Sequence, residues 1–154
     1  MNDDPQNSAK ARRAGILEQQ VFINVMRTSD LLARGMEPVL KAAEVSPTQY
    51  NVLRILRGAP EGLPCGEIGS RMISRDPDIT RLLDRMEKRG LVSRCRETRD
   101  RRMVLTRITE AGLNLVSKLD APVLDAHALQ LGHLGQQKLK TLLALLQEAR
   151  KQNV

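Results

Sequence analysis

Apolar residues first recur at helical spacing at Ile16, Val21, Val25, Leu31, Leu32, Met36, Val39 and Leu40, which predicts a long first helix after a polar, frayed start. Ser46-Pro47-Thr48-Gln49 has the serine and glutamine of a capping box, with proline at the first helical position. A second helix therefore begins near Pro47 and buries Val52, Leu53, Ile55 and Leu56. Residues 58–62 hold two glycines and a proline and read as a turn. A short helix with Ile68 and Met72 follows, weakened by Gly66 and Gly69. Arg75-Asp76-Pro77-Asp78 opens a fourth helix, with Asp76 as N-cap and Pro77 in the first turn. Ile79, Leu82, Leu83 and Met86 form its buried stripe, Lys88 and Arg89 sit in its last turn, and Gly90 ends it.

After Gly90 the period of the pattern drops to two. Residues 91–97 and 102–108 read as strands joined by a turn at Thr98, Arg99 and Asp100, with Val104, Thr106 and Ile108 on one face. Thr109 begins another helix, whose apolar side is Leu115, Val116, Leu119, Val123 and Leu124 and which Pro122 is expected to bend. A last helix after Gly135 aligns Leu139, Leu142, Leu143 and Leu146. The fold class is mainly α with a small β-hairpin, without internal repeats. Two short helices joined by a turn, a capped amphipathic helix and then a hairpin are the order of a winged helix-turn-helix lobe.

Charge turns that order into a functional expectation. The 154 residues carry a formal charge of +7, and residues 71–107 alone hold twelve Arg or Lys against six Asp or Glu. A concentration of cations on one helix and the hairpin after it points to an anionic polymer. Phe22 and Tyr50 are the two aromatic residues, which disfavours single-stranded nucleic acid, whose bases stack on aromatic rings, and favours duplex DNA. No apolar run approaches the ~20 residues of a membrane span, and residues 1–13 lack the hydrophobic stretch of a signal peptide, so a cytoplasmic protein is expected. Cys65 and Cys95 match no disulfide or metal framework, and Cys95 reads as a small strand residue packed inward. His127 and His133, six apart, form no metal pair and are expected at a helix surface or end. No nucleophile set, phosphate loop or HExxH motif is present, so neither an enzyme nor a cofactor is implied.

On the fourth helix the outward residues are Asp78, Arg81, Arg85 and Lys88, with Thr80 on the flank and Ser74 and Arg75 just before it. A guanidinium bonds guanine O6 and N7 together, which makes Arg81 the candidate for base readout. Thr80 suits a thymine methyl or a phosphate. Asp78 suits cytosine N4, although an acid at a helix start also favours the helix dipole. Asp84 and Lys88 have the spacing of an ordinary i, i+4 pair. In the hairpin Arg94, Arg96, Arg99, Arg101 and Arg102 suit phosphates and the narrow minor groove. Two other readings remain open at this level: a protein-interaction winged helix that meets an acidic partner, and a non-specific architectural binder. The absence of an apolar wedge at 98–101 weighs against the latter.

The run Ile79-Thr80-Arg81-Leu82-Leu83-Asp84-Arg85-Met86-Glu87-Lys88-Arg89-Gly90-Leu91-Val92 resembles the recognition-helix pattern of the MarR (multiple antibiotic resistance regulator) family. Asp100, Arg102, Thr109 and Gly112 match that family's wing signature, with Ile108 in place of leucine. The resemblance implies one MarR-type domain over 1–154, with a winged helix-turn-helix lobe at 46–108. The stretches 12–45 and 109–152 would form a helical dimerisation region. It further implies a homodimeric repressor on a pseudo-palindromic operator, with Arg102 or a neighbour in the minor groove. Release would follow binding of a small effector, commonly an anionic aromatic, in a crevice that Met26, Arg27, Met36 and Tyr50 would line. Peroxide-sensing relatives use a cysteine near the start of the first helix, which here has none.

Overall fold

A computed structural model describes residues 5–74, 77–96 and 104–151, with side chains described from residue 15 onward. In chain order the elements are α1 (Pro5–Ala42), α2 (Pro47–Arg57), β1 (Leu63–Pro64), α3 (Cys65–Arg71) and α4 (Ile79–Lys88). There follow β2 (Val92–Arg96), β3 (Val104–Ile108), α5 (Glu110–Leu131), a 3-10 turn (Gly132–Leu134) and α6 (Gly135–Lys151). The chain divides into two compact units, Met1–Met36 and Glu37–Val154. The first unit is helical from Pro5, further back than the polar sequence there suggested. Its apolar residues are exposed, among them Ile16, Leu17, Val21, Phe22, Val25 and Met26.

In the second unit the capping box of α2 and the glycine terminus of α4 form as the sequence predicts. The Ser46 hydroxyl accepts from the Gln49 amide at 3.2 Å, and the Ser46 amide donates to Gln49 Oε1 at 3.1 Å, so the box closes in both directions. At the end of α4, Gly90 takes φ +69°, a left-handed conformation that a side chain would strain. Gly90 N donates to Glu87 O at 2.8 Å and Leu91 N to Met86 O at 3.0 Å, the paired bonds of a Schellman motif. Leu91 and Met86 both lie in the core, so the chain leaves α4 in a direction fixed by backbone and packing together. The start of α4 differs from expectation. Its N-cap is Asp78, whose Oδ1 accepts from Arg81 N at 3.2 Å, and the helix begins at Ile79, two residues later than an Asp76 cap implies. Asp76 itself lies outside the described residues.

Val52, Leu53 and Leu56 of α2, Ile68 of α3, Leu82, Leu83 and Met86 of α4, Val92 of β2 and Val116 of α5 are at most 2% exposed. Each such aliphatic side chain contributes about 1.5–3 kcal/mol by leaving water, and together they weld four helices and a sheet into one core. The sheet has three antiparallel strands in the order β1-β3-β2, with Leu63 opposite Thr106 and Arg94 opposite Thr106 on the other side. The two-residue strand β1 was not foreseen, because two residues cannot display a period. Along β3, Thr106 is buried and Ile108 half-buried as expected of one face, but Val104 at the wing end is 44% exposed. α5 is capped by Thr109, whose hydroxyl accepts from Gly112 N at 3.1 Å, and it continues through Pro122. Val116, Leu119 and Val123 of the expected stripe are buried, whereas Leu124 is 67% exposed. α6 has no buried residue.

Candidate nucleic-acid interface

The buried stripe of α4 decides what its other face can do. With Leu82, Leu83 and Met86 sealed in the core, Asp78, Thr80, Arg81, Arg85 and Lys88 are left exposed, and Ser74 is exposed ahead of them. The Arg81 side chain is 83% exposed, and its Nε lies 3.2 Å from Asp78 Oδ2. Asp78 thus caps the helix and pairs with the guanidinium Nε of the candidate reading residue, which accounts for an acid here without any contact to a base. Cys65 Sγ, at the start of α3, is 3.9 Å from Thr80 Oγ1. The loop before α4 is tied to α2 through Ile73 N, which donates to Asn51 Oδ1 at 2.8 Å. At the other end of α4, Arg89 Nη1 donates to Gln49 Oε1 at 3.1 Å, so the glutamine of the α2 capping box also receives the end of α4. Neither tie has a sequence signature, because the partners are 22 and 40 residues apart.

The hairpin departs from expectation in two places. Val92 is buried and fixes the alternation of β2, so Arg94 falls on the inward face and Cys95 on the outward one. Cys95 is therefore exposed, not packed inward as a small strand residue. Arg94 is not a free cation either. Its Nε and Nη2 donate to Glu87 Oε2 at 2.9 and 2.6 Å, Nη2 lies 2.5 Å from Asp84 Oδ1, and its backbone amide donates to Glu87 Oε1 at 3.0 Å. Asp84 thus faces Arg94 across the seam between helix and wing, where its spacing alone suggested Lys88. Hydrogen bonding from Arg94 holds the Glu87 carboxyl below its ordinary range, and the Arg94 guanidinium is raised in turn. Arg75, Arg99, Arg101 and Arg102 lie outside the described residues. His127 and His133 are exposed, and no group of three or more metal-binding side chains occurs among the described residues. No helix there is long and apolar enough to cross a membrane.

A second ion pair joins α2 to α5. Arg57 Nη1 and Nη2 donate to Asp120 Oδ2 and Oδ1 at 2.7 and 3.0 Å, a two-pronged fork between residues 63 apart in sequence. The hydrogen bonds from Arg57 depress the Asp120 carboxyl. Asp120 and Glu87 both have folded pKa values below their unfolded ones, so each contributes stability above the ordinary carboxylate range that is lost as pH falls through the folded value. The denaturant midpoint is expected to be flat from neutrality to about pH 5 and to fall below about pH 4. Asp120→Asn should flatten that acid limb; an unchanged limb would show that the fork does not contribute to stability.

Of the four candidate effector-lining residues, Met26 and Arg27 are exposed on α1 and Met36 is half-buried on the same helix. Tyr50 lies on α2, half-buried against the core, with the Arg54 guanidinium 6.0 Å from its ring centroid. Its hydroxyl is buried without a hydrogen-bond partner among the described residues.

A family model described as the MarR family matches residues 45–104, from just before α2 to the start of β3. An organic hydroperoxide resistance transcriptional regulator of Bacillus subtilis (strain 168) is 31% identical over 107 residues, covering 69% of this chain and 72% of that protein. The chain belongs to the MarR family of transcriptional regulators. Another relative, the HTH-type transcriptional regulator TtmR of Methylorubrum extorquens (strain PA1), is 34% identical over 118 residues. That alignment takes in 77% of this MarR-family chain, which spans 55% of the length of TtmR. Among solved structures, NadR in complex with 4-hydroxyphenylacetate is similar with a TM-score of 0.68 at 26% identity, covering 84% of this chain and 91% of that one. The MarR membership agrees with the winged helix-turn-helix order read from sequence, and the third strand completes the sheet behind the wing.

Proposed function

We propose that this MarR-family chain is a homodimeric repressor that binds a pseudo-palindromic duplex operator and is released by a small anionic aromatic effector. One observation carries the DNA reading: a helix with three fully buried residues on one side presents Thr80, Arg81 and Arg85 on the other, immediately before a basic wing. In this reading α4 enters the major groove, Arg81 reads guanine, and Ser74, Arg75, Asp78, Thr80 and Arg85 lie along the groove. Arg99, Arg101 and Arg102 anchor the wing in the adjacent minor groove. The lobe is residues 46–108, and residues 12–45 and 109–152 form the dimer region. The exposed apolar residues of the first unit, and Leu124, Leu129, Leu142, Leu143 and Leu145 of the second, support a partner copy covering them. Half-sites would lie about 10 bp apart.

For the effector, the unpartnered Tyr50 hydroxyl offers a donor for a carboxylate, and NadR holds an aromatic carboxylic acid. A cytoplasmic location fits DNA as target. The deciding experiment is a titration of a duplex selected from a random pool, and of random-sequence duplex, at several salt concentrations. A steep salt slope with tighter binding to the selected duplex is expected, and 4-hydroxyphenylacetate should weaken the selected complex. Absence of salt-dependent binding would reject the DNA reading, and equal binding to both duplexes would favour an architectural binder. Arg102→Ala should weaken both duplexes alike and lower the salt slope by about one. An unchanged slope would remove Arg102 from the interface.

A further inference from the structure

We propose that Arg94 is a positioning residue rather than a phosphate contact, and that Glu87 and Asp84 hold it away from DNA so that the wing binds selectively instead of merely strongly. The proposal rests on the DNA-binding reading of α4 and the wing. By composition Arg94 belongs to the run of hairpin arginines and should add one more cation to the wing. Its geometry says otherwise. Two of its three guanidinium nitrogens are directed at carboxylates of α4, its side chain is 28% exposed, and even its backbone amide is bonded to Glu87.

The charge at this seam is two carboxylates against one guanidinium, a net negative spot between the exposed cations of α4 and those of the hairpin. A phosphate approaching the seam meets repulsion from Asp84 and Glu87, while Nε and Nη2 of Arg94 are already given to those carboxylates. Phosphate contact is thereby directed to the exposed cations on either side of the seam, Arg81, Arg85 and Lys88 of α4 and Arg96 of β2. A charge-assisted fork also fixes the angle of β2 against α4, because Glu87 holds both the side chain and the backbone of Arg94. Arg94 would lose little by carrying a different cation if only charge mattered. A lysine cannot make the fork, so the conservative exchange separates geometry from charge.

The experiment uses the full chain with a random-sequence duplex and with a duplex selected by wild-type protein from a random pool, both followed by fluorescence anisotropy from low to high salt. In the double variant Asp84→Asn, Glu87→Gln, Arg94 is released toward the phosphates. Affinity for random duplex is expected to rise about tenfold, the salt slope to steepen by about one, and the ratio of selected to random affinity to fall. Arg94→Lys, which keeps the charge, is expected to lower the same ratio without steepening the slope as much. Thermal melting accompanies each variant, and Asp84→Asn alone serves where the double variant does not fold, with the same signs at smaller size. A folded variant whose random-duplex affinity and salt slope equal those of wild type would overturn the proposal while leaving DNA binding by the wild type intact. Failure of the wild type itself to bind either duplex would overturn both.

Discussion

Gly112→Ala is expected to lower the melting temperature by about 10 °C or more, or to prevent folding, although it adds a single methyl group. A Cβ at residue 112 would stand 2.2 Å from the Leu91 carbonyl oxygen, 2.9 Å from Ile108 Cγ1 and 3.2 Å from Leu53 Cδ2. The first of these neighbours is backbone and cannot swing aside. Leu91 O already accepts from Thr109 N at 3.1 Å, and Thr109 Oγ1 donates to Gly90 O at 2.6 Å while accepting from Gly112 N. Relieving the clash means moving α5 away from the end of α4, which breaks that junction and opens the core at Leu53. Overpacking of this kind costs about 3 kcal/mol or more, a large part of the ~5–15 kcal/mol that holds a domain together. Gly66→Ala is the control: no atom lies within 4 Å of a Cβ there, and alanine in a helix should be neutral or slightly stabilising. Equal melting curves for the two variants would show that α5 has room to slide.

The second large effect is expected on recognition. Arg81→Ala should weaken binding to a selected duplex by roughly 10- to 100-fold per half-site, the value of one bidentate guanine contact at about 1–3 kcal/mol. Binding to random duplex should change little, so the loss falls on the ratio of the two. Stability should not change, because the Arg81 side chain is 83% exposed and the helix cap uses its backbone amide, which alanine retains. Re-selection of duplexes with the variant should show relaxed preference at one position in each half. A variant that lost affinity for both duplexes equally would reassign Arg81 to phosphate contact.

Much of this architecture was legible because local chemistry and tertiary packing agree. The Ser46 box, the Gly90 terminus and the start of α5 at Thr109 are all written in a few adjacent residues, and all three formed as expected. The stripe of α4 declared itself for the same reason: Leu82, Leu83 and Met86 share one face of any helix drawn through them. What stayed hidden depends on residues distant in sequence. Two carboxylates on α4 engage the Arg94 guanidinium, yet nothing within one turn of Arg94 announces them. The Arg57–Asp120 fork bridges α2 and α5 and leaves no periodic trace. Asp78 took the capping role expected of Asp76; both are competent caps by residue type, so local chemistry alone did not separate them. The alternation of β2 was readable, but its phase was set by Val92, and that phase turned Cys95 outward. MarR resemblance supplied the roles of the wing tip, whereas charge counting alone placed every arginine of the hairpin on the DNA.

The strand order β1-β3-β2 also bears on synthesis. The strand made last lies in the middle, so Leu63 and Pro64 wait for Leu105 and Thr106, about forty residues later, before they find partners. A nascent chain emerging from the ribosome presents the short segments of α2, α3 and α4, which are marginal as isolated helices, and it cannot close the lobe until residue 108 and the start of α5 are outside the exit tunnel. Non-local closure of this kind slows folding and leaves the unpaired sheet edge accessible to chaperones in the interval. A truncation that ends before β3 would therefore leave the apolar faces of α2, α3 and α4 without β3 and α5 to cover them, a species for proteolysis rather than a smaller DNA reader.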